Sequence, residues 1–320
     1  MKKLLYSMLV LLILISGCSN NNTSNERSNH QADKKTIKIG YLPITHAANL
    51  MMTKKVLESR RNGNYNLELV RFNNWPDLMD ALNSGRIDGA STLIELAMKS
   101  KQKGSPIKAA ALGHHEGNVI MGQKGKSVED LHNHNNYSFA IPHRYSTHYL
   151  LLEEMRKQLK LDHNTFDYHE MAPAEMPAAL NENRIAGYSV AEPFGALGEK
   201  LGKGHTLKHG SKIIPDAYCC ALVLREDLIN NQHDVAQQFM TDYKKAGYQM
   251  TDKSKSVDVM SKHFKQDDKV LAQSAEWTSY GDLTIEEDGY QKITELVQEH
   301  KLFTAPSYKS FVDSSLYKEG

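Results

Sequence analysis

Two stretches of the chain repeat one another and decide the predicted fold: "ALNSGRIDGAS", residues 81–91, and "ALNENRIAGYS", residues 179–189. Ala, Leu, Asn, Arg, Ile, Gly and Ser recur at the same positions in both copies. Each copy is typical of a helix end, a tight turn and a short buried strand, because Leu and Ile pack and Gly lets a neighbouring strand approach. We therefore predict two similar α/β units about a hundred residues apart.

The repeat extends over whole units. In the first unit the apolar segments "TIKIGYLP", "YNLELVRF" and "RIDGAST" alternate with helical segments. In the second, "YSFAIP", "FDYHEM" and "RIAGYSVAE" do the same. A Thr-His pair opens the first helix of each unit, as Thr45-His46 and as Thr147-His148. This order of elements predicts an α/β fold with a largely parallel sheet.

Helix signals are also clear. Asn74 is placed to cap the helix "WPDLMDALNSG", with Pro76 in its first turn and Gly85 after its end. After about residue 226 the chain is predicted to be helical to its end, and "DLINNQHDVAQQFMTDYKKAGYQM" is predicted as one helix.

Composition excludes several classes of protein. The chain has 320 residues, of which 40% are hydrophobic and 24% charged, with a net charge of +1. That length suggests two domains, and the charge balance indicates no nucleic-acid partner. The cysteines Cys219 and Cys220 are adjacent in "YCCALVL", so they predict two thiols in a buried strand, with a strained vicinal disulfide as the alternative.

The N-terminus reads as an export signal. Lys2 and Lys3 precede an apolar stretch that ends in Ile15-Ser16-Gly17-Cys18, which resembles a bacterial lipobox with Ile15 in place of the usual Leu. We expect residues 1–18 to be a lipoprotein signal and Cys18 to be acylated (palmitate), with an ordinary secretory signal as the alternative. Residues 19–35 are rich in Asn and Ser and predict a flexible tether. The expected location is the extracellular face of the cell membrane.

Four segments together resemble a known family. They are "IKIGYLPITHAANLMM", "LMDALNSGRIDGA", "AIPHRYSTHYLLL" and "YSVAEPFG". Their order and spacing are similar to those of the substrate-binding proteins of bacterial ABC importers, in the nitrate, sulfonate and taurine (NMT1/THI5-like) family, which includes thiamine-precursor binders. The resemblance runs from Lys35 to the C-terminus.

The resemblance implies a two-lobed periplasmic-binding-protein-like fold with a ligand cleft between the lobes. Lobe one would comprise residues 36–122 and 216–320, and lobe two residues 123–215. Two strands near 120–125 and 212–218 would join them. The implied function is capture of a small anionic solute by a monomer that closes by hinge motion and delivers the solute to the permease.

The candidate ligand-binding residues follow from this architecture. Helix N-termini bind anions through free N–H groups and the helix dipole, and Arg144 would add charge. Glu192 would accept a hydrogen bond from a ligand ammonium. In most cases the alternative is structural, as an N-cap or a surface carboxylate. The candidates are Thr45, His46, Thr92, His114, Arg144, Ser146, Thr147 and Glu192.

The chemistry of the ligand stays open at the level of the sequence. We favour a sulfonate such as taurine, or a nitrate-like anion. His46, His114, His143 and His148 would suit Zn, Ni or Cu if they converged, but we expect no metal, no cofactor and no catalytic residue. The alternatives are a thiamine pyrimidine precursor, a transition metal, or an enzyme of the same fold.

Overall fold

The strands form two five-stranded sheets and one two-stranded sheet in the part of the chain described by the computed structural model, residues 34–60 and 63–318. In chain order they are β1 (Lys35–Tyr41), β2 (Tyr65–Arg71), β3 (Gly89–Leu93), β4 (Ile107–Leu112), β5 (His115–Glu116), β6 (Asn118–Gln123), β7 (Tyr137–Ile141), β8 (Phe166–Glu170), β9 (Gly187–Ala191), β10 (Gly204–His209), β11 (Cys220–Arg225) and β12 (Thr278–Ser279). The first sheet has the order β2-β1-β3-β11-β4, and the second β8-β7-β9-β6-β10. Strands β5 and β12 pair separately.

The two large sheets have the same internal plan. In each, three strands of the repeated unit pair in parallel, as β2-β1-β3 and as β8-β7-β9. The fourth strand, β11 or β6, is antiparallel to both neighbours. The predicted largely parallel sheet therefore holds except at this fourth strand, which runs opposite to the other four strands of its sheet. The reason is that β6 and β11 enter their sheets along connections from the other sheet, which reverses their direction.

The repeated glycine sits where this crossing strand passes. A Cβ atom built on Gly89 would lie 2.6 Å from the carbonyl oxygen of Val223 in β11. A Cβ atom on Gly187 would lie 2.5 Å from the carbonyl oxygen of Met121 in β6. Both distances are shorter than real Cβ contacts. Glycine therefore recurs at this position of the repeat because the backbone of the crossing strand approaches it closely.

Helices cover the faces of the sheets and form the C-terminal part of the chain. They are α1 (Ala48–Glu58), α2 (Trp75–Asn83), α3 (Ile94–Gln102), α4 (Thr147–Gln158), α5 (Met176–Asn181), α6 (Phe194–Lys200), α7 (Glu226–Asn231), α8 (His233–Gln249), α9 (Lys253–His263), α10 (Asp268–Trp277), α11 (Glu287–Glu299), α12 (Tyr308–Phe311) and α13 (Ser315–Lys318). Short 3-10 helices span Thr45–Ala47, Glu129–His132, Pro173–Glu175 and Gly210–Lys212. None of the described helices is long and apolar enough to cross a membrane.

Helix boundaries follow the predicted caps in two cases and depart from prediction in one. The Asn74 side chain accepts a hydrogen bond from the N–H of Asp77, and that of Ser146 accepts one from Tyr149, so both are N-caps. The helix predicted as continuous after residue 226 is divided at Gln232, whose φ of −140° and ψ of 47° are not helical.

The chain passes from the first sheet to the second in residues 113–117 and returns in residues 210–219. We refer to the first sheet with α1, α2 and α3 as the first unit, and to the second sheet with α4, α5 and α6 as the second unit. Strand β6 belongs wholly to the second sheet, whereas the predicted lobe limit at residue 122 falls inside it. The lobe limits remain a prediction. The predicted signal and the tether up to residue 33 lie outside the described residues.

Two hydrophobic clusters support these units. The larger runs through the first sheet and the C-terminal helices and reaches strand β9. The smaller lies between α4 and the second sheet, where Leu150, Leu151 and Met155 pack with Phe139 and Phe166.

Candidate functional site

Three histidine rings lie in a row where the two units meet. His46 follows β1 and stacks on His114, with ring centroids 3.3 Å apart and planes 7° from parallel. On its other side lies His148 of α4, at 6.3 Å and 16°. All three residues are at most 2% exposed. The two Thr-His pairs of the sequence repeat are thus brought face to face.

Hydrogen bonding leaves imidazole nitrogens of this row free. Nδ1 of His114 lies 2.6 Å from the carbonyl oxygen of Glu116, so it carries the proton and donates it, and Nε2 keeps a lone pair. Buried nitrogens without a partner are Nε2 of His114, both ring nitrogens of His46 and Nε2 of His148. Such atoms need a partner inside a folded protein.

Two thiols complete the cluster. The sulfur of Cys219 lies 3.9 Å from Nδ1 of His148 and 3.9 Å from the sulfur of Cys220. Both cysteines are free and buried, as predicted. Cys219 ends the return connection, and Cys220 begins β11, so the thiols are held at the junction of the two units.

The cluster has the composition of a transition-metal site. One donor atom each from His46, His114, Cys219 and Cys220 lies within 4.8 Å of all the others. Nitrogen and sulfur donors of this kind bind zinc in tetrahedral geometry, with donor atoms roughly 3.3 to 3.8 Å apart. The four donors would therefore draw together by about 1 Å around an ion.

Burial keeps this cluster uncharged. It holds the pKa of His46 well below its usual value, with help from the neighbouring His114 and His148, and it lowers that of His114 to about 3. Burial also holds the pKa of the Cys219 thiol well above its usual value. The imidazoles of His46 and His114 are thus available as neutral ligands, while Cys219 must lose a proton to bind a metal.

The predicted hydroxyl residues are close to this cluster in the chain, but their hydroxyls contact protein atoms. Thr45 Oγ1 donates to the carbonyl oxygen of Glu192 at 3.2 Å and accepts from Thr278 Oγ1 at 3.0 Å. Ser146 Oγ donates to the carbonyl oxygen of His143 at 2.5 Å. Thr147 Oγ1 lies 2.6 Å from a carboxylate oxygen of Glu95.

Arg144 and Thr92 are placed apart from the histidine row. The exposed guanidinium of Arg144 lies 4.6 Å from the centre of the Tyr149 ring and donates to the Tyr149 hydroxyl at 3.2 Å. Thr92 is buried in β3, with its hydroxyl 3.5 Å from the sulfur of Met79 in α2. Their predicted role in ligand binding remains a prediction.

Glu192 is fully buried at the end of β9. One carboxyl oxygen, Oε2, lies 2.8 Å from Ser274 Oγ and accepts from the N–H of Ala196 at 3.2 Å. The other, Oε1, has no partner. Burial raises the pKa of Glu192 to about 7. The alternative of a surface carboxylate is therefore excluded by its 0% exposure.

Sequence reasoning named His148 only as a metal ligand if the histidines converged, and it placed Cys219 and Cys220 in a buried strand and not in the site. Two signals pointed to them: the Thr-His pair occurs in both units, and the adjacent cysteines stand where the chain returns to the first unit. Neither signal gives a distance, because the four segments that meet here are far apart in sequence.

A second group of potential donors lies on the surface. Glu154, Glu299 and His300 are close enough to share an ion. However, the Lys157 ammonium forms ion pairs with both carboxylates, and Nε2 of His300 lies 2.8 Å from Glu154. These side chains therefore satisfy one another.

A cavity of about 310 Å³ is lined by residues of both units. Its walls come from both units, with Arg71 and Asn73 from the first and Glu175 from the second. Ile44, the residue before Thr45, lies in its wall, whereas no histidine of the row lines it.

Known proteins share this architecture. The model of the NMT1-like family matches residues 30–262. A ligand-binding component of an ABC-type import system from Staphylococcus aureus, solved with zinc bound, is 70% identical, with a TM-score of 0.88 over 89% of this chain and 99% of that chain.

More distant structures share the fold alone. The periplasmic nitrate-binding protein NrtA of Synechocystis is 17% identical, with a TM-score of 0.79 over 90% of this chain and 88% of that one. The aliphatic sulphonate-binding protein SsuA of Escherichia coli is 18% identical, with a TM-score of 0.69 over 89% of this chain and 99% of that one. The predicted two-lobed fold is confirmed.

One curated relative matches part of the chain. The bicarbonate transport ATP-binding protein CmpC of Synechococcus elongatus is 26% identical over 219 residues, which are 63% of this chain and 33% of that protein. The chain thus spans about a third of the length of the curated relatives it matches. The S. aureus protein is the ligand-binding component of an ABC-type import system, and the importer component predicted from the sequence fits it.

Proposed function

Because the chain belongs to the NMT1-like family, we propose that it is the extracytoplasmic ligand-binding component of an ABC-type importer. It would bind its ligand reversibly as a monomer, without chemical turnover, and deliver it to the permease. The two-unit fold and the 70% identity to the S. aureus ligand-binding component support this assignment.

We propose that its ligand is a transition-metal ion of the zinc type. The observation that carries the proposal is the buried set His46, His114, Cys219 and Cys220, with unpartnered imidazole nitrogens. These donors prefer soft or borderline metal ions over anions. The zinc in the S. aureus structure supports the same chemistry. This proposal departs from the sequence-based expectation that no residue binds metal.

The test is a zinc titration of the purified protein under reducing conditions. A hundredfold excess of zinc over its Kd should add about 2.7 kcal/mol to the free energy of unfolding. His114→Ala and Cys219→Ser should each weaken zinc binding by about 100-fold or more, beyond the loss typical of an outer-shell partner. His163→Ala, on the surface, is the control. Unchanged zinc affinity in both site variants would refute the metal assignment.

A small zwitterionic sulfonate is the second candidate ligand. The cavity lined by both units has the volume for such a molecule, with Arg71 to meet a sulfonate and Glu175 to meet an amine. The titration is repeated with taurine and with nitrate in place of zinc. A shift with taurine that Arg71→Ala abolishes and His114→Ala does not would favour this candidate.

We also propose that acylated Cys18 anchors the protein to the outer face of the cell membrane. The motif Ile15-Ser16-Gly17-Cys18 after an apolar stretch supports the anchor, and the segment up to residue 35 would serve as its tether. Cys18→Ala should move the protein from the membrane fraction to the medium. An unchanged membrane fraction would contradict the anchor.

A further inference from the structure

The repeated units contact each other in a reciprocal way. Each Thr-His pair opens a helical segment of one unit, and a buried glutamate follows a strand of the other unit. Thr147 of the second unit contacts Glu95, which follows β3. Thr45 of the first unit contacts Glu192, which follows β9: the N–H of Thr45 donates to the Glu192 carbonyl oxygen at 2.8 Å. The internal repeat therefore builds two contacts across the junction, one through the side chain of Glu95 and one through the backbone carbonyl of Glu192.

The Glu95 contact requires a protonated carboxyl group. Thr147 Oγ1 lies 2.6 Å from Oε1 of Glu95 and 2.6 Å from the carbonyl oxygen of Tyr218. A hydroxyl group has a single proton to donate, and a carbonyl oxygen can only accept. Thr147 therefore donates to Tyr218 and accepts from Glu95. Oε2 of Glu95 is buried without a partner, which suits the carbonyl oxygen of a neutral acid.

The carboxyl group of Glu192 makes a hydrogen bond of the same form, with Ser274 as its partner and not Thr45. Ser274 Oγ lies 2.7 Å from the carbonyl oxygen of Val270 and 2.8 Å from Oε2 of Glu192. When Ser274 donates to Val270, the carboxyl group of Glu192 supplies the proton of the other bond. Ser274 lies in α10, one of the C-terminal helices, so this bond joins the end of β9 to a helix outside the second unit.

The burial of both glutamates also favours neutral carboxyl groups. It raises the pKa of Glu95 to about 7, and that of Glu192 to the same value. Both residues have 0% exposure.

We propose that Glu95 and Glu192 are closure latches, positioning residues that hold the two units together as neutral acids. The Glu95 latch ends on Thr147, which directly precedes His148 of the row, and the Glu192 latch ends on Ser274 of α10. Closing the Glu95 latch therefore sets His148 in place beside His46, and opening it separates these rings. This proposal rests on the proposed function in one respect only, namely that the ligand held by the closed form is zinc.

The test compares variants of the full protein at about pH 6, where both acids are neutral in the closed form. Glu95→Ala and Glu192→Ala should increase the radius of gyration of the zinc-free protein in small-angle X-ray scattering. They should also speed zinc loss to excess EDTA by about tenfold, the effect of losing one hydrogen bond. Glu95→Gln and Glu192→Gln should match the parent protein, because an amide donates as a neutral acid does.

Asp242→Asn is the matched control. Asp242 is also fully buried and contacts the Tyr65 hydroxyl at 2.9 Å, but this contact does not cross the junction, since Tyr65 lies in β2 and Asp242 in α8, which packs on the first unit. The Asp242→Asn variant should have a lower thermal stability and an unchanged radius of gyration. Thr147→Val and Ser274→Ala remove the latch partners and replace the alanine variants if those do not fold.

Two results would overturn the latch. One is an unchanged radius of gyration and zinc-loss rate in the alanine variants or in the partner variants. The other is glutamine variants that open as the alanine variants do. If zinc fails to bind the parent protein, the metal assignment falls, and the scattering of the ligand-free variants still decides the latch.

Discussion

At the scale of single residues, the site is decided by how burial changes proton binding. Burial removes the proton from the imidazoles of His46 and His114 and keeps it on the Cys219 thiol. A neutral nitrogen is ready to bind a metal ion, whereas a thiol must first release its proton. The thiols, rather than these two histidines, therefore determine how metal affinity varies with pH.

Zinc affinity should accordingly rise with pH by about tenfold per pH unit for each thiolate ligand, between about pH 5 and pH 8. The imidazole of His114, whose pKa is about 3, has no proton to lose in this range and adds no slope. Competition with a chromophoric chelator at several pH values measures the slope. Cys219→Ser should reduce the slope by one thiolate, and a flat profile in the parent protein would contradict thiolate ligation.

At the scale of elements, the repeated sequence marks the strand of each sheet that the crossing strand packs against. The glycine of each copy begins a strand, β3 or β9, and faces the backbone of the antiparallel strand that crosses from the other unit. A hydrophobic pattern predicts that these strands are buried. It does not reveal that the fourth strand of each sheet is antiparallel, because that depends on the path of the connections.

Gly89→Ala and Gly187→Ala should each lower the free energy of unfolding by about 1–3 kcal/mol, because a methyl group would be forced against Val223 or Met121. Urea denaturation with a constant m-value measures the loss. Ser84→Ala, an exposed change in the same repeat, should stay within about 0.5 kcal/mol. If both glycine variants were as stable as the parent, the close approach of the crossing strands would be disproved.

At the scale of the whole molecule, the neutral buried acids make stability depend on pH. The pKa of Glu95 rises from 4.5, its ordinary value, to about 7 in the folded protein. A raised pKa of an acid contributes stability that is fully present below about pH 4.5 and is lost as the pH rises to about 7. Above that value the folded state must hold a buried carboxylate or a bound proton that the unfolded chain releases.

Glu95→Gln should therefore be more stable than the parent protein at about pH 8, by up to about 3 kcal/mol, and equally stable at about pH 4.5. Glutamine stays neutral at every pH and can still donate to Thr147. Urea unfolding of both proteins at the two pH values measures the difference. Glu276→Gln, on the surface, is the control. A gain of equal size at both pH values would show that Glu95 is not neutral in the fold.

Local features of the sequence determined much of the architecture. The alternation of apolar segments, the caps at Asn74 and Ser146, and the duplicated stretch predicted the α/β units, because helix and strand signals act over a few neighbouring residues. The resemblance of four segments to importer binding proteins gave the two-lobed fold. The long helix predicted after residue 226 was wrong at Gln232, where backbone dihedrals break the helix despite its continuous pattern.

The cluster itself was decided only by the tertiary structure. His46, His114, His148 and Cys219 come from four separate segments, and their distances depend on how two units close around two crossing connections. The same holds for the pairing of Thr147 with Glu95, where a sequence pattern indicates a helix start but not the partner of its hydroxyl. Contacts between distant segments, and the burial that shifts the pKa of each group, exist only once the chain has folded.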